Sequence, residues 1–146
     1  MTKKRITSNT NKEFRKQTNG IGANKGLLKQ DDFIKFSYKY ANLSHEVFHL
    51  TGRDASYFIH LIQRLHDLCK YRVSELKSTK DSTLRFHFID WKDTTQTSFG
   101  LPNEEQLVEQ PYQFSLSANK HGRIHGFFID TVFYIVWFDP EHNLYA

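Results

Sequence analysis

Residues with the chemistry to act on a phosphodiester lie close together late in the chain. Arg123 and His125 stand two positions apart in a β-type segment, so they share one face of a strand. Asp139, His142 and Tyr145 follow the next apolar segment. If the two segments form a hairpin, the end of the second lies beside the start of the first. The hairpin would then bring all five side chains together.

This set of side chains is suited to metal-independent cleavage of RNA, which requires no cofactor. An arginine can stabilise a phosphorane-like transition state through paired hydrogen bonds. A histidine exchanges protons near neutral pH, and a tyrosine can do the same or stack on a base. Structural roles also explain the set: Asp139 and Pro140 end a strand, His125 satisfies a hydrogen bond, and Tyr145 covers the core.

A second candidate site is the string His-Glu-Val-Phe-His, which places Glu46 between His45 and His49. On a helix, this spacing puts both histidines on one face, where they can bind zinc while the glutamate acts as a general base. A zinc site here would need a helix and a third ligand, such as His87 or His142. The flanking residues leave room for about two helical turns.

Positive charge is concentrated in the first thirty residues. The chain carries a formal charge of +4, but residues 1–30 hold eight basic side chains and one acidic one, whereas residues 31–146 are net acidic by three charges. A basic segment can bind nucleic acid by neutralising phosphates, or it can simply keep the chain in solution. The candidate nucleic-acid contacts are Lys3, Lys4, Arg5, Lys12, Arg15 and Lys16.

Composition divides the chain into a tail and one domain. Residues 1–30 have too few large apolar side chains to offset the entropy of ordering, so we predict a basic, disordered tail. Residues 31–146 contain enough aromatic side chains for a single core. The longest apolar stretch is too short to span a bilayer, and no secretory signal is visible, so no membrane partner is expected. The single cysteine, Cys69, indicates a reducing compartment such as the cytoplasm.

Residue periodicity predicts an α+β fold, with an antiparallel sheet that packs against one long amphipathic helix. The helix is predicted over residues 55–77 with Asp54 as its N-cap, because apolar residues recur every three or four positions. Alternating or apolar runs predict strands over residues 33–40, 84–91, 112–118, 123–129 and 132–138, and the last three form a meander. A short helix is predicted over residues 103–110, with Asn103 as its cap.

Residues 123–145 also resemble the terminal part of RelE/HigB-type toxins. The shared pattern is a strand that carries Arg123, a tight turn, an apolar strand, and then His142 and Tyr145. The resemblance implies a small α+β toxin that cleaves mRNA on the ribosome and is neutralised by an antitoxin. It also implies that Arg123 stabilises the transition state, and that His142 and Tyr145 act as acid–base or stacking groups.

Three classes of function therefore remain. The first is a toxin-like protein that binds or cleaves RNA without a metal. The second is a non-catalytic interaction or regulatory module of phage or mobile-element type, which uses its basic tail to bind a nucleic acid or a protein. The third is a metal-dependent hydrolase built on His45, Glu46 and His49.

Overall fold

The structure, a computed structural model, describes residues 32–118 and 120–145. From Phe33 onward the described residues belong to one compact unit. Its elements are β1 (Lys35–Ser37), α1 (Ala55–Leu68), α2 (Val73–Ser78), β2 (His87–Phe88), a 3-10 helix (Trp91–Asp93), α3 (Glu104–Leu107), β3 (Pro111–Ser115), β4 (Arg123–Ile129) and β5 (Val132–Asp139). The predicted α+β class is confirmed.

One five-stranded sheet forms the centre of the described fold. The strand order is β1-β5-β4-β3-β2. The sheet is mixed, whereas the sequence predicted an antiparallel one, because β1 runs parallel to β5 and pairs Lys35 with Val132. The β2–β3, β3–β4 and β4–β5 pairs are antiparallel. The strand that carries Arg123 therefore lies in the middle of the sheet.

The helix predicted over residues 55–77 is two helices. Asp54 caps α1 as predicted, and its Oδ1 accepts a hydrogen bond from the Tyr57 N–H at 3.0 Å. α1 ends at Leu68 because a tertiary contact takes over the following turn: the Ile34 N–H donates to the Tyr71 carbonyl at 3.0 Å. Arg72 then becomes extended, and α2 begins after it. Periodicity within the helix carries no information about this partner.

The sheet separates two apolar clusters. On one face, buried side chains of α1, including Leu61 and Leu65, pack with Phe114, Ile124 and Ile135 of the strands. The other face holds the second cluster: Phe48, Ile89, Phe99, Phe127, Val136, Trp137 and Leu144. Val136 and Trp137 are consecutive in β5, yet both belong to the second cluster. This is possible because Val136 is an extra residue at a β-bulge opposite His125 and Gly126, which interrupts the alternation of side chains between the two faces.

Two shorter predictions required correction. The strand predicted over residues 84–91 is only two residues long, because Arg85 adopts a left-handed conformation with φ 48° and breaks the extended run. Asn103 precedes α3 but makes no side-chain cap there. Instead, the Glu104 carboxylate accepts hydrogen bonds from the N–H groups of Phe99 and Leu101. Of the helices in the described ranges, none has the length and apolar character needed to cross a membrane.

Candidate active site

Polar side chains line up across one end of the sheet, on the face that also carries the second apolar cluster. β3 and β4 pair Gln113 with His125 and Ser115 with Arg123, so these four side chains share a face. β2 adds His87 opposite Gln113. β5 adds Asp139, which pairs with Arg123. The sheet thus brings together polar side chains that are up to 52 positions apart in the sequence, from His87 to Asp139.

This polar group borders a surface groove of about 410 Å³. An adjoining groove of about 380 Å³ shares three of its side chains: Arg85, Arg123 and His142. The first groove is completed by His87, Gln113 and Tyr145. The second is completed by residues around the turn before β4 and the segment after β5: Ala118, His121, Gly122, Pro140 and Glu141. The side chains of Arg85, Arg123 and His142 therefore lie between the two grooves.

Arg123 is the central residue of the site, because it borders both grooves. Its side chain is 7% exposed, and Nη1 donates one hydrogen bond, to the Gly122 carbonyl at 3.2 Å. Nε is buried with no partner, and Arg123 forms no ion pair within the described residues. Burial lowers the pKa of Arg123, the nearby charge of Arg85 lowers it further, and Asp139 opposes both effects. A buried, under-satisfied guanidinium beside a second arginine favours the binding of an anion.

His125 and Asp139, two of the five predicted catalytic residues, lie in the interior and line neither groove. His125 Nε2 is 3.2 Å from Asp139 Oδ2, and both side chains are almost fully buried. Asp139 also accepts hydrogen bonds from the N–H groups of Asn143 at 2.7 Å and Leu144 at 2.9 Å. A group with no exposed surface cannot exchange a proton directly with a substrate. We therefore assign this pair to holding the chain after β5 in place.

His142 and Tyr145, the other two predicted residues beside Arg123, reach the groove from the segment that Asp139 holds. The His142 side chain makes no hydrogen bond or ion pair in the described part of the chain. Tyr145 lies against His87, with ring centroids 6.2 Å apart. Burial raises the pKa of Tyr145, as do the charges of Asp93 and Asp90, while a hydrogen bond to the backbone of Asp90 opposes the increase. The phenol therefore stays protonated at neutral pH.

The backbone around the grooves is strained. Five non-glycine residues in the described ranges have positive φ, and three of them line these grooves: Arg85, His121 and His142. Gly122, with φ 69°, lies where β4 meets the segment after β5; a Cβ there would come within 2.7 Å of the Pro140 carbonyl oxygen. Left-handed non-glycine residues cost about 1–2 kcal/mol each. Such strain concentrates at functional sites.

Arg85, His87 and Gln113 are groove residues that the sequence reasoning missed. The alternation over residues 84–91 did place Arg85 and His87 on one side of a strand. Nothing in the sequence linked that strand to the hairpin of Arg123, because strand order and register depend on contacts between distant segments. Gln113 is a polar residue in an alternating run, a pattern that equally describes a solvent-facing position.

The zinc motif lacks the helix that it needs. The segment from His45 to His49 is irregular, and the His45 ring is engaged as a local cap: Nδ1 accepts hydrogen bonds from the N–H groups of Val47 at 3.0 Å and Phe48 at 3.2 Å. The same ring stacks on Phe48. Among residues 32–118 and 120–145, no cluster of three or more His, Cys, Asp or Glu side chains is placed to hold a metal ion.

The predicted nucleic-acid contacts of the basic tail, from Lys3 to Lys16, lie outside the described residues. The fold and the grooves are therefore described without them. Comparison of the whole chain with protein-family models, with curated proteins and with solved structures finds no match in any of the three.

Proposed function

We propose that the protein binds a phosphate of single-stranded RNA at Arg123 and cleaves the adjacent phosphodiester bond without a metal ion. The observation that carries this proposal is the buried Arg123 guanidinium, which forms no salt bridge within the described residues and borders both grooves together with Arg85 and His142. An anion at this point would accept hydrogen bonds from the terminal guanidinium nitrogens, of which only Nη1 makes a hydrogen bond within the described residues. The two compartments on either side would take the nucleotides that flank the phosphate.

The proposed reaction is an internal transesterification. The ribose 2′-oxygen attacks the adjacent phosphorus, the phosphorus–O5′ bond breaks, and the products are a 2′,3′-cyclic phosphate and a 5′-hydroxyl. His142 accepts the proton of the 2′-hydroxyl, and solvent protonates the departing O5′. Arg123 and Arg85 stabilise the extra negative charge on the equatorial oxygens of the transition state. RNA with 2′-deoxyribose at the cleaved position would bind but remain intact.

The resemblance of residues 123–145 to RelE/HigB-type toxins extends this proposal. The substrate would be mRNA on the ribosome, in the cytoplasm, and a protein antitoxin would cover the groove. The basic side chains of residues 1–30 would add contacts to phosphates. Deletion of residues 1–30 should then weaken RNA binding while the groove retains its cleavage chemistry.

Cleavage of labelled single-stranded RNA in the presence of EDTA tests the proposal. Wild type should yield fragments that end in 2′,3′-cyclic phosphate. Arg123→Ala should reduce the rate by about a hundredfold or more, as expected when a donor to the transition state is removed. Arg72→Ala is the matched control, because Arg72 is an exposed arginine outside both grooves.

Two other results would contradict the proposal. One is wild-type protein that neither binds nor cleaves RNA. The other is cleavage that persists unchanged in Arg123→Ala, or that requires a divalent metal. RNA binding that depends on Arg123 without any cleavage would restrict the function to RNA binding. In cells, induced wild type should arrest growth and fragment RNA, whereas the double variant Arg123→Ala, His142→Ala should do neither.

A further inference from the structure

The groove beside Arg123 has an aromatic side. His87 and Tyr145 both line it, with ring centroids 6.2 Å apart and ring planes at 68°. They come from separate elements, since His87 belongs to the edge strand β2 and Tyr145 follows β5. Two rings next to a phosphate site suit an unpaired base, because every base presents a π-face to an aromatic side chain.

The ring nitrogens of His87 are both occupied within the protein. Nδ1 lies 2.8 Å from the Phe88 carbonyl oxygen, which can only accept, so Nδ1 carries the proton. Nε2 lies 2.9 Å from Gln113 Nε2 and therefore accepts a hydrogen bond from the amide. Both ring nitrogens are therefore committed to partners within the protein. What His87 offers to a ligand is its ring face rather than a proton.

Gln113 fixes the orientation of that ring. It is 3% exposed and lies on the inner strand β3, where it pairs with His87 of β2 on one side and with His125 of β4 on the other. Its amide donates to His87 Nε2, while Oε1 is buried without a partner. A buried amide with an unsatisfied oxygen costs stability. That cost is explained if the amide serves to hold the His87 ring at the groove.

We infer that His87 and Tyr145 form a stacking subsite for one unpaired base, next to the phosphate held by Arg123, and that Gln113 is the positioning residue of this subsite. The inference rests on the proposed function and specifies its substrate as a flexible, single-stranded segment. A base in a duplex is stacked on its neighbours and cannot stack on a side chain. The protein should therefore discriminate against double-stranded RNA.

Equilibrium binding, measured by fluorescence anisotropy on a non-cleavable short RNA with 2′-deoxyribose at the cleaved position, tests the subsite. His87→Ala should weaken binding about tenfold. His87→Phe should bind severalfold more tightly than His87→Ala but more weakly than wild type, because it keeps a ring and loses the hydrogen bond to Gln113 that orients it. Phe88→Ala is the matched control, since Phe88 is a neighbouring aromatic residue, 59% exposed, that does not line the groove.

An RNA that lacks one base at the bound position distinguishes positioning from general damage. Gln113→Leu should weaken binding of the intact RNA to about the level of His87→Phe, yet bind the abasic RNA as tightly as wild type does. Far-UV circular dichroism checks that each variant is folded. If Gln113→Leu does not fold, the contrast between His87→Ala and His87→Phe still decides whether the ring stacks.

The outcomes separate the two proposals. If Arg123→Ala abolishes binding but His87→Ala does not weaken it, the stacking subsite is overturned and the phosphate site stands. Loss of binding in His87→Phe as severe as in His87→Ala also overturns the subsite, because a ring at position 87 would then add nothing to binding. If wild type binds no RNA, the proposed function fails and the subsite fails with it.

Discussion

The His125 imidazole and the Asp139 carboxylate form a buried pair, with Nε2 and Oδ2 3.2 Å apart, on the same sheet face as Arg123. Burial lowers the pKa of His125, so its ring is neutral and donates from Nε2. Burial raises the pKa of Asp139, but hydrogen bonds from His125, Asn143 and Leu144 outweigh it and keep the carboxyl ionised. The pair thus anchors the segment that carries His142 and Tyr145.

Removal of the Asp139 carboxylate should destabilise the protein strongly. Asp139→Ala leaves His125 and two backbone N–H groups unpaired in the interior, so we expect the free energy of unfolding to fall by about 3–5 kcal/mol. Urea denaturation measures this change. Asp93→Ala, at an exposed residue, is the control and should change stability by less than about 0.5 kcal/mol. Equal midpoints for both variants would show that the pair does not anchor the segment.

The same pair should make stability depend on pH. The folded protein holds His125 neutral, whereas the unfolded chain protonates it below about pH 6.5. Its contribution is complete above that value and is lost as the pH falls toward the lowered folded pKa, at up to about 1.4 kcal/mol per pH unit. Chemical denaturation at pH 7 and at pH 5.5 measures the loss. His125→Gln, which keeps a donor to Asp139 but does not titrate, should show a smaller loss; an unchanged pH dependence would contradict the assignment.

Arg123 should lower the stability of the folded protein. Its charge is buried and makes no salt bridge in the described residues, and Asp139 offsets the cost of burial only in part, so Arg123→Met should raise the free energy of unfolding by about 1 kcal/mol or more while RNA binding is lost. Denaturation and binding are measured on the same preparation. If Arg123→Met destabilises the protein instead, the guanidinium is satisfied within the fold and is not reserved for a ligand.

Substitution of Arg85 should also raise the stability of the protein and weaken RNA binding, but for a different reason. Its φ of 48° suits glycine, so Arg85→Gly should stabilise the protein by about 0.5–1 kcal/mol and weaken RNA binding severalfold. Arg85→Ala separates the two effects, because it removes the charge but keeps the strained backbone. It should weaken binding equally and gain less stability. Equal stability of the two variants would show that strain at residue 85 is negligible.

Local sequence signals predicted the elements better than their ends. The cap at Asp54 and the strand over residues 123–129 depend on short-range chemistry, which a sequence displays directly. The break after Leu68 and the parallel pairing of β1 depend on partners far along the chain. The site follows the same rule. The hairpin made it possible to predict that Arg123, His142 and Tyr145 lie close together. The positions of Arg85, His87 and Gln113 beside them depend on the order of the strands in the sheet, which the sequence does not show.

The position of β5 in the sheet governs how this protein can fold. β5 is the common neighbour of β1, which precedes α1, and of β4, which carries Arg123. The first strand cannot pair until a segment near residue 132 arrives, and closing so long a loop is entropically slow. A nascent chain that lacks β5 would have neither the complete sheet nor the two grooves. Any ribonuclease activity should therefore arise in one late, cooperative step and not build up during synthesis.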